Sequence, residues 1–178
     1  MNKYILLLGI AGVALGSYHA YAGNSATMTV TATIAHDVSL SVTQDLDLGT
    51  ITVNPAATEE SSCSYTETGV VTCNQGDAFV SASNATVGAF TANIANKTAC
   101  NTASNSCGGL NLGNNGTVDN IFGGSGADNS CQFYIKYTGS SNIFKVYPWD
   151  CMIEEGGISS VTSGSHSGTL TINYSAGG

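Results

Sequence analysis

Between residues 28 and 48 the apolar side chains keep to even positions: Met28, Val30, Ala32, Ile34, Val38, Leu40, Val42, Leu46 and Leu48. The odd positions between them are small or polar, Thr29, Thr31, Thr33, Ser39, Ser41 and Asp47 among them. A period of two belongs to a strand with one buried and one wet face, and it does not fit the 3.6-residue period of a helix. As a single strand this stretch would be about 70 Å long at roughly 3.3 Å per residue, far beyond the roughly 3–10 residues of ordinary strands. It must therefore bend or be shared, and His36-Asp37 interrupts the alternation where the break is expected. The part before the break becomes a separable arm, 26–35, and the part after it enters the body of a domain.

Lys3, the apolar run 4–16 and Ala20-Tyr21-Ala22 have the layout of a secretory signal peptide with an A-x-A cleavage site. Residues 1–22 are expected to be removed after Ala22. The run falls short of the about 20 apolar residues of a membrane span, so no stable span is expected after cleavage. The expected location is exported: periplasm, outer surface or extracellular. The remainder, 23–178, suits one domain with its own core. Twelve Asp and Glu face four Lys and Arg, for a net charge of −8. That balance argues against nucleic acid and anionic membrane surfaces as partners.

All six cysteines lie beyond the signal peptide, at Cys63, Cys73, Cys100, Cys107, Cys131 and Cys151. An even number in an exported chain predicts disulfides. A turn centred on Thr68 would set Cys63 opposite Cys73, and one centred near Ser141 would set Cys131 opposite Cys151. Directly opposed strand residues lie within bridging range. Cys100 and Cys107 would then close the Asn/Ser-rich loop between them, so sequential pairing is expected. A zinc site is not, because there is no C-x-x-C and no His lies within three residues of a Cys.

Beyond the opening stretch, the alternation changes phase at Gly49, since Ile51 and Val53 are odd, and this predicts a bulge or tight bend. Further strands are expected at 77–83, 87–94, 110–112, 118–122, 132–137, 143–147 (ending at Pro148) and 168–174. Short strands, Gly/Asn turns and no amphipathic helix after the signal peptide predict an all-β sandwich. Two of its hairpins would be pinned by disulfides.

Candidate chemistry is sparse. His36 sits at the strand break and His166 in Gly-Ser-His-Ser-Gly, read as a turn, with no nucleophile or metal constellation beside either. Gly123-Gly124-Ser125-Gly126-Ala127-Asp128 begins like a calcium-binding nonapeptide, but it occurs once and Ser130 breaks it. Asp45 and Asp47 share a strand face and read as its wet side. No enzyme activity, metal or cofactor is expected. Phe133, Tyr134, Tyr137, Tyr147 and Trp149 form the densest aromatic cluster. Trp149, Tyr147 and Tyr137 are candidate sugar-stacking residues, set against the plainer reading that these aromatics fill the core.

Two segments carry a resemblance. Thr29-Val30-Thr31-Ala32-Thr33-Ile34, followed by Leu46-Asp47-Leu48-Gly49-Thr50-Ile51, resembles a family of bacterial exported β-sandwich domains. Its members open on T-x-T-A strands, carry L-D-F-G-T-I and end on G-T-hydrophobic-T-hydrophobic-N-Y. Leu48 stands here for the usual Phe, and Gly168-Thr169-Leu170-Thr171-Ile172-Asn173-Tyr174 supplies the ending. The six cysteines and the Asn-rich middle depart from that pattern. More distantly, the layout is similar to fimbrial subunits of the chaperone–usher route. That similarity implies an immunoglobulin-like, pilin-like sandwich completed by a neighbour's arm.

The expected function is thus an exported structural or adhesive fimbrial-like subunit that assembles with itself or with other surface subunits. Its arm (Met28, Val30, Ala32, Ile34) would add to a neighbour's acceptor edge (Leu170, Ile172, Tyr174). Alternation is satisfied equally by pairing within the chain. The alternative is a monomeric module that binds a glycan or a host surface.

Overall fold

A computed structural model describes residues 24–33, 38–54, 56–76, 78–123, 129–154, 161–162 and 164–175. The expected signal peptide, Ile34, His36, Asp37 and most of the Gly-rich segment at 123–128 lie outside the described residues. The strands are β1 (Asn24–Thr33), β2 (Leu40–Gln44), β3 (Leu46–Val53), β4 (Ser61–Tyr65), β5 (Val71–Gln75), β6 (Phe79–Ala82), β7 (Gly88–Ala92), β8 (Ser106–Cys107), β9 (Leu110–Leu112), β10 (Thr117–Asp119), β11 (Asn129–Tyr137), β12 (Ile143–Ile153) and β13 (Ser165–Tyr174). The only helical turns among the described residues are two short 3-10 turns, Lys97–Cys100 and Gly113–Gly116.

The strands form the expected all-β sandwich. One sheet runs β6–β3–β1–β13–β9–β8 and the other β10–β11–β12–β4–β5, with β7 and then β2 joined to the other half of β12. The alternating stretch is divided between them: β1 lies in the first sheet and β2 in the second. Inward side chains of both sheets make one core, with Met28, Leu46, Leu48, Ile51, Phe90, Phe133, Phe144, Leu170 and Ile172 all almost wholly buried. Burying a side chain of this size contributes about 1.5–3 kcal/mol.

β1 is paired on both sides. It runs antiparallel to β3 and parallel to β13, with Met28 opposite Gly168, Val30 opposite Leu170 and Ala32 opposite Ile172. Met28 and Val30 are buried while Thr27, Thr29 and Thr31 face solvent. The arm thus meets the segment expected to receive it, but within one chain. The segment 168–174 is also no edge, because β1 covers one side of β13 and β9 the other.

The three disulfides pair sequentially, Cys63–Cys73, Cys100–Cys107 and Cys131–Cys151, with Cα separations of 4.0, 5.1 and 4.1 Å. Cys131 lies opposite Cys151, Cys151 opposite Cys63, and Cys63 opposite Cys73. Two disulfides therefore stand in one row across β11, β12, β4 and β5.

Two elements differ from expectation. β12 does not stop at Pro148 but continues to Ile153. Pro148 falls where β12 has left β7, after Val146, and has not yet met β4, at Asp150. A missing N–H is tolerated at such an interruption. The second is His166, which lies in β13 and not in a turn, its Nε2 donating to the Thr162 carbonyl at 2.7 Å.

Gly49 is a bulge, as the phase change requires. β3 uses one more residue than β1 between the pairs Ser25–Thr50 and Thr27–Asp47. Its φ is +75°, and an added Cβ would come within 2.3 Å of Ser83 Oγ and 2.9 Å of the Asn84 carbonyl oxygen. Asp47 accepts the Gly49 N–H at 2.8 Å, so this carboxylate serves the bulge. Gly49→Ala is expected to lower the unfolding free energy by about 1–3 kcal/mol in urea titration. Unchanged stability would show that the bulge relaxes without cost.

Candidate functional site: an aromatic and lysine face

The outer face of the β11–β12 hairpin carries the exposed aromatic surface. β11 alternates, turning Cys131, Phe133 and Ile135 inward and leaving Tyr134 and Lys136 on the outer face. β12 matches it residue for residue from Phe144 to Pro148, with Tyr147 opposite Tyr134 and Lys145 opposite Lys136. The register then shifts: Phe133 faces Pro148 but Gln132 faces Asp150, which leaves Trp149 as the extra residue of a bulge. Trp149 is 46% exposed. Its ring stacks on Tyr134 with centroids 5.1 Å apart and planes 19° apart, and Tyr134 meets Tyr147 edge-on at 6.5 Å.

The candidate sugar-stacking residues therefore divide. Trp149 is on the surface, and its immediate partner is Tyr134. Tyr147 is buried, and its hydroxyl has no hydrogen-bond partner among the described residues. Burial, and after it Glu67 and Tyr134, push the Tyr147 hydroxyl up to about 12, so it stays protonated and remains a donor. Tyr137 packs on Phe144 at 5.1 Å at the turn end of the hairpin. Phe133 belongs to the core.

Tyr137 and Tyr147 meet again in a cleft of about 230 Å³, which Trp149 does not line. Glu67 and Thr68, from the β4–β5 turn, form one wall; Lys136 and Lys145 stand on the other strands beside it. Glu67 and Lys136 form an ion pair with both side chains partly exposed. Such a pair contributes at most about 1 kcal/mol. The turn bearing Glu67 is fixed locally: Thr66 Oγ1 accepts the Val70 N–H at 3.1 Å, and Gly69 donates to the Thr66 carbonyl at 2.9 Å.

Beside this face, burial and then Glu60 raise the Asp150 carboxyl. Burial and then Asp150 raise the Tyr65 hydroxyl, which has no hydrogen-bond partner among the described residues. Among the described residues, no group of His, Cys, Asp or Glu is arranged to hold a metal ion, and no helix is long and apolar enough to cross a membrane. The arm residues Met28, Val30 and Ala32 lie on the opposite sheet, against Leu170 and Ile172. Arm and aromatic face are therefore separate surfaces.

No family model, no curated protein and no solved structure matches this chain.

The Asp150 shift has a sign. A carboxyl raised in the folded state binds more protons there than in the unfolded chain, so stability falls as pH rises from the ordinary value of 3.8 through the raised one. Asp150→Asn is expected to raise Tm at pH 7, with the gain disappearing below pH 3.8. A gain that persists in acid would mean that something other than the charge was relieved.

Proposed function

We propose that this protein is an exported structural or adhesive subunit of a bacterial surface, linked to its neighbours by exchange of β1. The observation that carries this reading is the double pairing of β1, the first strand among the described residues. β1 keeps an unbroken run of partners along β13, from Ser25–Ser165 to Thr33–Asn173, and inserts Met28 and Val30 into the core. The same contacts made between chains would release β1 from its own sheet and fill the identical slot of the next copy. Head-to-tail exchange of this kind does not close on itself and generates a filament. Buried disulfides suit a subunit that has to last outside the cell.

The test is the mass of the mature protein in solution, by light scattering and by gel without boiling. SDS-resistant multimers are expected, and Val30→Asp should abolish them, because it places a charge at a buried position. Thr31→Cys with Thr171→Cys joins a directly opposed pair. Its disulfide should link chains in the multimer. A monomer at every concentration, with that disulfide always internal, would sink strand exchange.

One observation favours a second reading, a monomeric glycan-binding module. The exposed Tyr134–Trp149 stack offers a flat aromatic platform of the kind on which sugar rings lie. Retention on a glycan array, lost on Trp149→Ala with the fold intact by circular dichroism, is the expected result under this reading. Retention unaffected by that substitution would exclude the platform.

A further inference from the structure

Among the described residues of this acidic chain, the few cations are gathered in one place. Its four basic residues are all lysines, and Lys3 lies outside the described residues. The others surround the β11–β12 hairpin. Lys136 and Lys145 are directly opposed across the two strands, and Lys97 donates to the Asn142 side chain in the connecting turn. Like charges directly opposite each other on a sheet are destabilising. Glu67 offsets Lys136, but Lys145 is exposed and forms no salt bridge among the described residues. Both lysines line the cleft, together with Tyr137 and Tyr147.

We infer that this cleft takes the acidic terminus of a saccharide, a single sugar ring bearing a carboxylate or sulfate. Lys145 meets the charge, and Tyr137 and Tyr147 flank the ring. Size supports one ring: the cleft, at about 230 Å³, is smaller than the roughly 300–1,000 Å³ of sites for drug-sized ligands. Tyr147 touches Tyr134, and Tyr134 stacks on Trp149. An aromatic strip therefore leads out of the cleft, along which the following rings of a chain would lie. The inference rests on the glycan-binding reading and adds the class of sugar. Glu67 acts against it, because its carboxylate competes with the ligand for Lys136.

The experiment uses the mature protein and two matched disaccharides, one ending in glucuronic acid and one in glucose. Calorimetry is the readout, with the fluorescence of Trp149, the single tryptophan, as a second. The acidic probe should bind about tenfold more tightly or better, as expected for a hydrogen-bonded charge pair. Its affinity should fall as salt is added. Lys145→Ala should remove the preference, Lys145→Arg should retain it, and Glu67→Gln should strengthen binding of the acidic probe. Equal affinity for the two probes, or a preference that survives Lys145→Ala, overturns the inference. If both probes bind equally and Trp149→Ala abolishes binding, the glycan-binding reading stands without it. Failure of both probes to bind overturns the inference together with the reading it extends, and leaves strand exchange to its own test.

Discussion

The first sheet holds together only through β1. On one side of it lie β6 and β3, and on the other β13, β9 and β8. Without β1 the two halves would face each other across an empty slot, with two rows of backbone donors and acceptors unpaired. Unpaired backbone groups away from water cost free energy comparable to lost hydrogen bonds. The core would open at the same place, because Met28 and Val30 close it from that sheet. The bulge at Gly49 is subordinate to this slot: it turns Ile51 back toward the core while β3 stays paired with β1.

A second constraint organises the opposite sheet. If the hairpin kept the register it has from Tyr137–Phe144 to Phe133–Pro148, Cys131 would fall opposite Asp150. The extra residue, Trp149, restores the opposition of Cys131 and Cys151. One bulge therefore permits a disulfide on the buried face and extrudes an indole on the exposed one. Each of these cross-links contributes about 2–4 kcal/mol by restricting the unfolded chain. The aromatic platform and the covalent row are two consequences of the same inserted residue.

The sandwich was legible in the sequence wherever one physical rule acted alone. Alternation from Met28 to Leu48 marks β1, β2 and β3, and the phase change marks the Gly49 bulge. The Cys63–Cys73 pair follows from opposition across a short turn, whereas Cys131 and Cys151 come opposite only through the Trp149 bulge. What alternation cannot specify is the partner: Met28, Val30 and Ala32 would satisfy a neighbour's groove as well as their own. Pro148 predicts a strand end because a proline usually lacks a place in a ladder. The partner change from β7 to β4 that accommodates it is a tertiary event. The same holds for the candidate site. The aromatic cluster is visible as composition, but the bulge that separates exposed Trp149 from buried Tyr147 is not. Nor is the cleft, because it needs Glu67, distant in sequence, to be brought beside Lys136 and Lys145 by the β4–β5 turn.

The parallel pairing of β1 with β13 has a mechanical meaning. Ser25 lies beside Ser165 and Thr33 beside Asn173, so the leading end of β1 and the trailing end of β13 sit at opposite poles of the sheet. Tension between those two ends pulls along the strands, in shear, and loads the whole nine-pair ladder at once. An antiparallel arrangement pulled from adjacent ends would instead open pair after pair, like a zip. This pair of strands resists stretching along its length far better than peeling across it.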